Sequence, residues 1–131
     1  MSAGVYDFTI EQGIPYTFQV QYQNPDGTPK NLTSWIVLGH VKEKVNDCVP
    51  LAELETEITS PIEGLITVTV PEETTRNIKI RGSKYNDYGS LVYDIKLWPE
   101  DNLNDVRRLL NGVIKVSPEV TKVIPTTSIR N

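Results

Sequence analysis

Apolar and polar residues alternate with a period of two along most of this chain. In "YTFQVQYQ", Tyr16, Phe18, Val20 and Tyr22 share one face, and Thr17, Gln19, Gln21 and Gln23 share the other. Successive strand side chains point to opposite sides, so this segment predicts a strand with one packed and one wet face. Tyr6, Phe8 and Ile10 predict a shorter strand before it, set off by "EQG". "NPDGTP" after it is turn chemistry, with proline presetting φ and glycine tolerating positive φ. "SWIVLGHVKEK" holds an apolar run, which predicts a strand covered on both sides for part of its length. Gly39 within it marks a bulge or a close backbone approach. The pattern lapses through "VNDCVPLAE", a predicted loop.

Alternation returns in "LETEITS", where Leu54, Thr56 and Ile58 oppose Glu55, Glu57 and Thr59. "SPIEG" turns the chain and "LITVTV" brings it back, which predicts a hairpin. "PEETTRNIKI" breaks the period. Pro71 suits a first helical position and two glutamates suit the first turn, so one short helical turn is predicted there, crossing from one sheet to the other. In "SLVYDIKLWP", Leu91, Tyr93, Ile95 and Leu97 face inward, and Val92, Asp94, Lys96 and Trp98 outward. The last long pattern sets Val106, Arg108, Leu110, Gly112, Ile114 and Val116 against Arg107, Leu109, Asn111, Val113 and Lys115. This predicts a strand pairing back onto "LVYDIKLW" and ending at Pro118, which cannot donate to a ladder.

About seven short strands, spaced by turns, predict an antiparallel β-sandwich of immunoglobulin-like type with one short helical turn. Residues 1–121 form the predicted domain and 122–131 an extended C-terminal tail. Phe18, Val20, Tyr93, Ile95, Ile114 and Val116 are expected in the core.

Composition narrows the function. The chain has 131 residues, one domain's length, and a net charge of −4 that disfavours a nucleic-acid partner. No apolar run approaches the roughly 20 residues of a membrane-spanning helix, so no membrane partner is expected. The first residues show no basic and apolar signal pattern. A single cysteine, Cys48, excludes an internal disulfide and fits assembly in a reducing cytoplasm.

Several phrases, in order, resemble small virion proteins of tailed bacteriophages. They are "YDFTIEQGIPYTFQVQYQNPDGTPKNLTSW", "GLITVTVPEETT", "LVYDIKL" and "RRLLNGVIKVSPEVT". The resemblance extends to the N-terminal attachment domain of siphophage upper-baseplate proteins and covers about Tyr6 to Thr121. It implies a non-enzymatic structural module of a virion's tail, baseplate, neck or fibre-attachment region, assembled in the host cytoplasm. Its expected partners are other virion structural proteins, with homo-oligomers in the particle. A capsid decoration protein and a carbohydrate-binding sandwich at the host surface are the alternatives. The family pattern carries no catalytic residues. The "KEKVNDCVPLAELE" loop and the "IKIRGSKYNDYGS" insertion depart from it.

Candidate chemistry is sparse. His40 is the only histidine, with no second histidine or cysteine pair to complete a zinc site. A Cys48–His40 pair lacks an orienting third group. Glu53, Glu55 and Glu57 lie on one strand face and read as a solvated edge rather than a glycosidase pair facing across a cleft. Asp101, Asn102 and Asp105 lack the glycine and terminal glutamate of a calcium loop, and Asn31 in "NLT" matches a glycosylation sequon. No catalytic residue, cofactor or metal is expected. Lys79, Arg81 and Lys84 interleave with Tyr85 and Tyr88, a pattern of single-strand binders that the net charge opposes. Tyr85 and Tyr88 are candidate protein contacts, since tyrosine is enriched in interfaces. Trp98 is either a lid on the end of the sandwich or an interface anchor. Val123, Ile124 and Ile129 are spaced along an extended run suited to docking as an arm on a neighbouring subunit.

Overall fold

The computed structural model describes residues 4–44, 49–78 and 89–118. The first part of the expected "VNDCVPLAE" loop, with Cys48, the insertion with Tyr85 and Tyr88, and the tail with Val123, Ile124 and Ile129 lie outside the described residues, while Ala52 and Glu53 at the end of that loop are strand instead. Eight strands form one curled sheet. They are β1 (Gly4–Val5), β2 (Phe8–Glu11), β3 (Tyr16–Gln21), β4 (Trp35–Lys42), β5 (Ala52–Ser60), β6 (Leu65–Val70), β7 (Gly89–Pro99) and β8 (Arg107–Ser117). A short helix, α1 (Glu72–Asn77), lies between β6 and β7, and a 3₁₀ turn at Leu103–Asp105 precedes β8.

The path through the sheet runs β1-β8-β7-β4-β5-β6-β3, with β2 also on β8. Strand β5 is where it changes partners. Ala52 to Leu54 pair with β4, and Glu55 onward pair with β6. The hairpin expected from "LETEITS" and "LITVTV" is β5–β6. Its Gly64 has φ 66°, and a Cβ there would lie 2.6 Å from the Tyr22 carbonyl oxygen, so the turn requires glycine. The glutamates of β5 are exposed as expected, and each half of the strand has one partner, β4 for Ala52 to Leu54 and β6 from Glu55 onward.

The all-antiparallel expectation fails at one place. Strands β1 and β2 run parallel to β8, with Gly4 opposite Leu110 and Phe8 opposite Ile114. The single N-terminal strand expected over Tyr6, Phe8 and Ile10 is split in two. Asp7 bridges the break, its Oδ1 accepting from the Val113 amide at 2.8 Å. Gly112 lies directly beneath the break, where a Cβ would meet the Tyr6 carbonyl oxygen at 2.2 Å.

Strand β8 breaks its alternation. Ile95 pairs with Leu110 but Lys96 pairs with Arg108, so Leu109 is an extra residue and both leucines are buried. The bulge reverses the faces before it. Arg108 stands outside, opposite Lys96, while Arg107 stands opposite Leu97 and reaches the rim of the core. The face predicted to hold Val106, Arg108 and Leu110 together is therefore divided.

The core is built from inward residues of β6 together with the predicted inward residues of β7 and β8. Ile66, Val68, Ile95, Leu97 and Val116 have no exposed surface. Tyr93 and Ile114 are buried as expected, but Phe18 and Val20 are half-buried. They belong to β3, the last strand of the path, which has a neighbour on one side alone. Gly39 marks close packing without a register shift, since a Cβ would lie 3.0 Å from a Leu54 methyl and 3.1 Å from Ile95.

The short helix falls where "PEETTRN" predicts it, with Pro71 one position earlier, at the N-cap. Its buried Thr75 accepts from the Gly13 amide at 3.1 Å and donates to the Glu72 carbonyl at 3.0 Å. The "EQG" turn is thereby fastened to α1. Arg76 and Glu72 close an ion pair at 2.8 Å one turn apart.

Candidate docking face on the outer side of β4, β7 and β8

Alternation sends every second residue of the three central strands to the side away from the core. They include Leu38 and His40 on β4, Val92, Asp94, Lys96 and Trp98 on β7, and Arg108 and Val113 on β8. Together they line an open trough of about 710 Å³. Its lining mixes aliphatic side chains with both signs of charge. Asp94 and Arg108 pair at 3.4 Å across β7 and β8, and His40 lies 3.7 Å from Glu53 on β5. Of the trough's lining residues, Trp98 and Arg108 are of types enriched at protein contact surfaces.

Trp98 is half-buried on this outer face, opposite Ile36 of β4, which is 39% exposed. That is the face to which the alternation of β7 assigns it. The indole at the end of the core is instead Trp35, which sequence reasoning passed over. The Lys30 ammonium and the Arg107 guanidinium each lie 5.3 Å from its ring. Arg107 also donates to the Tyr22 hydroxyl at 3.1 Å and to Asp105 at 3.1 Å, and these two partners hold its charged form above its usual range. The signal that locates this cluster is the extra residue in "RRLL", which alternation alone does not disclose.

The remaining polar candidates have local tasks. Asn102 accepts from the Asn104 amide at 3.1 Å, and Asp105 engages Arg107, so "DNLND" is a turn. Asn31 Oδ1 accepts from the Thr33 amide and hydroxyl at 2.9 and 2.6 Å, the geometry of an Asx turn. Asp26 receives the Thr28 amide and hydroxyl, whose bonds lower its carboxyl pKa. Among the described residues no group of three or more His, Cys, Asp or Glu side chains converges on a metal position. Glu53 faces His40 rather than its strand mates, and Tyr93, the other ring at the trough, is buried. Trp98 therefore has no coplanar exposed partner among the trough residues. No helix among the described residues is long and apolar enough to cross a membrane.

The fold and its outer face define an all-β protein with one short helix and a candidate contact surface. No family model and no curated protein matches the chain. Among solved structures it is similar to a Listeria monocytogenes internalin-like protein, at 17% identity and a TM-score of 0.36, over 89% of this chain. The chain spans 28% of that protein's length.

Proposed function

We propose that this chain is an immunoglobulin-like β-sandwich that serves as a non-enzymatic structural module of a tailed-phage particle. In this reading β3, β6 and the second half of β5 form one layer. The other layer holds the first half of β5, β4, β7, β8 and the N-terminal pair. Immunoglobulin-type sandwiches place antiparallel layers face to face over alternating inward residues, and the inward faces of β6, β7 and β8 supply such a core.

The observation that carries the functional reading is where the phage-like phrases fall. "EQG" is the turn fastened to α1 through Thr75, and "PEETT" opens α1 itself. "RRLLNGVIKVS" is β8, which pairs with β7 on one side and with β1 and β2 on the other. The residues that resemble those of virion modules are thus joints of a scaffold. The trough around Trp98 supplies a surface of suitable composition for a neighbouring virion protein in the tail, baseplate, neck or fibre-attachment region.

Mass spectrometry of purified particles, with immunogold labelling of an epitope-tagged copy, tests the reading. Label on the tail, baseplate or neck is expected. Label over the head makes the chain a decoration protein. Absence from particles, together with retention on a glycan array, overturns the proposal in favour of a sugar-binding module.

A further inference from the structure

Strand β3 ends the sheet path, and among the described residues its bonding parity leaves one side of its backbone unused. The Tyr22 amide donates to the Gly64 carbonyl at 2.9 Å, in register with the β3–β6 ladder. Backbone groups alternate sides along a strand, so Tyr16, Phe18 and Val20 bond to β6. The amides and carbonyls of Thr17, Gln19 and Gln21 then point away from it. Side-chain contacts agree with this parity. Thr17 meets Thr69 at 3.3 Å and Gln19 meets Thr67 at 3.2 Å, across the pairs that exchange no backbone bonds, where side chains lie closest.

Natural edge strands are blunted by charge, proline, bulges or shortness. Strand β3 has six residues, "YTFQVQ", with no charge, no proline and an unbroken register. Its apolar residues Tyr16, Phe18 and Val20 are each half-buried. The β6 side of β5 is two strands wide, whereas the β4 side continues through β7 and β8 to the N-terminal pair. Among the described residues the narrower side therefore stops at an uncovered edge.

We infer that the free edge of β3 pairs antiparallel with the same edge of a second copy, about a two-fold axis at Gln19. Three features select this occupant. First, registers that keep apolar side chains on one face must match parity. The one centred on Gln19 sets Thr17 opposite Gln21 of the second copy, Gln19 opposite its counterpart, and Phe18 opposite Val20. It uses every outward backbone group of the strand, whereas a register centred on Phe18 leaves Gln21 out. Second, each copy carries a net charge of −4, and this uncharged strand is a place where two copies meet without like charges opposed. Third, pairing restores cover to Phe18 and Val20. A contact of one six-residue edge falls below the roughly 1,200 Å² of stable complexes, so the dimer is weak and fills at the high local concentration of an assembly. Added salt screens the net repulsion and strengthens it. The pairing stands on the edge itself and does not depend on the phage reading.

Sedimentation equilibrium of the full chain over a concentration series tests this, with hydrogen exchange as a second readout. Wild type is expected to dimerise reversibly, with concentration-dependent protection of the Thr17, Gln19 and Gln21 amides. Gln19→Lys and Gln19→Glu each place like charges opposite across the axis, and each alone should weaken association at least tenfold. Mixed together they should recover a heterodimer at least tenfold tighter than either homodimer. The Gln19 side chain is exposed, so both variants should keep the wild-type melting curve. Wild type that stays monomeric at its solubility limit, a Gln19→Lys dimer of undiminished strength, or a mixture without recovery would each overturn the inference.

Discussion

The Tyr93 hydroxyl donates to the main-chain carbonyl of Tyr6 at 2.5 Å, tying the middle of β7 to the break between β1 and β2. Tyr93 sits on the strand next to β8, and β8 is what the N-terminal pair leans on. The bond therefore spans three strands and holds the parallel segment against the fold. Tyr93→Phe keeps the ring and removes the donor, leaving a carbonyl short of its partner. It should cost about 1–3 kcal/mol, the penalty for an unsatisfied polar group. Thermal unfolding should show a drop of several degrees. An unchanged melt would mean that the Asp7 bond to Val113 and the Tyr6 amide bond to Asn111 suffice to secure the break.

Two phenols give the fold an alkaline limit. Tyr16 is pushed up to about 12, first by burial and then by its 2.6 Å hydroxyl contact with Tyr6. Tyr93 is raised further, chiefly by burial and next by the nearby Asp7 carboxyl. The folded state holds these protons more tightly than the unfolded chain, whose tyrosines ionise near pH 10. The associated stability is fully present below about pH 10 and is lost as pH rises through about 12. Urea midpoints should hold steady to about pH 9 and fall steeply above 10. Tyr16→Phe should shallow that fall, and an equally steep fall in the variant would remove Tyr16 from the account.

Two glycines separate steric need from backbone need. At Gly112 a Cβ would overlap the Tyr6 carbonyl oxygen at 2.2 Å and Asp7 Oδ1 at 2.7 Å. Backbone cannot yield as a flexible side-chain tip does, so Gly112→Ala should cost about 3 kcal/mol, the top of the usual range for overpacking, or detach β1 and β2. At Gly27 φ is 88° and nothing lies within 4 Å of a Cβ. Gly27→Ala should cost only the left-handed penalty of about 1–2 kcal/mol. Chemical denaturation of both variants checks the order, and a reversal would show the N-terminal pair contributing little.

How much was legible in the sequence is clearest in the pair Ile95 and Phe18. Period two places both on inward faces, and turn chemistry correctly sets the hairpin at Gly64. What alternation cannot supply is a strand's neighbours. Ile95 lies in β7, paired on both sides, and is fully buried, whereas Phe18 lies on the terminal strand. The same limit hid the change of partners along β5 and the parallel run of β1 and β2, which depend on long-range pairing. The Leu109 bulge escaped because one extra residue leaves the local composition unchanged. Of the candidate contacts, Trp98 was legible as an outward residue, and its adjacency to Asp94, Arg108 and Leu38 required the strand order. Phe18→Ala should thus cost less than the about 3–5 kcal/mol typical of a core phenylalanine. Ile95→Ala should cost about 2–5 kcal/mol, and urea midpoints of the two variants decide between these environments.

The outer face offers the sharpest separation of folding from docking. Trp98, Arg108 and Val92 point away from the core, so substitutions there alter the surface without opening a cavity beneath it. Trp98→Ala removes a large half-buried ring, and such rings concentrate binding energy at protein contacts. Arg108→Glu replaces the partner of Asp94 with a like charge, across a pair exposed enough that its loss should cost within about 1 kcal/mol of stability. Both variants should therefore melt within a few degrees of wild type and retain their hydrogen-exchange pattern at β3. If the trough receives a neighbouring protein, Trp98→Ala should reduce incorporation into particles at least tenfold, matching a loss near the 2 kcal/mol of a binding hot spot. Competition in co-expression, with tagged wild-type and variant chains counted by mass spectrometry in the same particles, gives that ratio directly. Equal incorporation of both chains would leave the trough a solvated face and move the docking role to another surface.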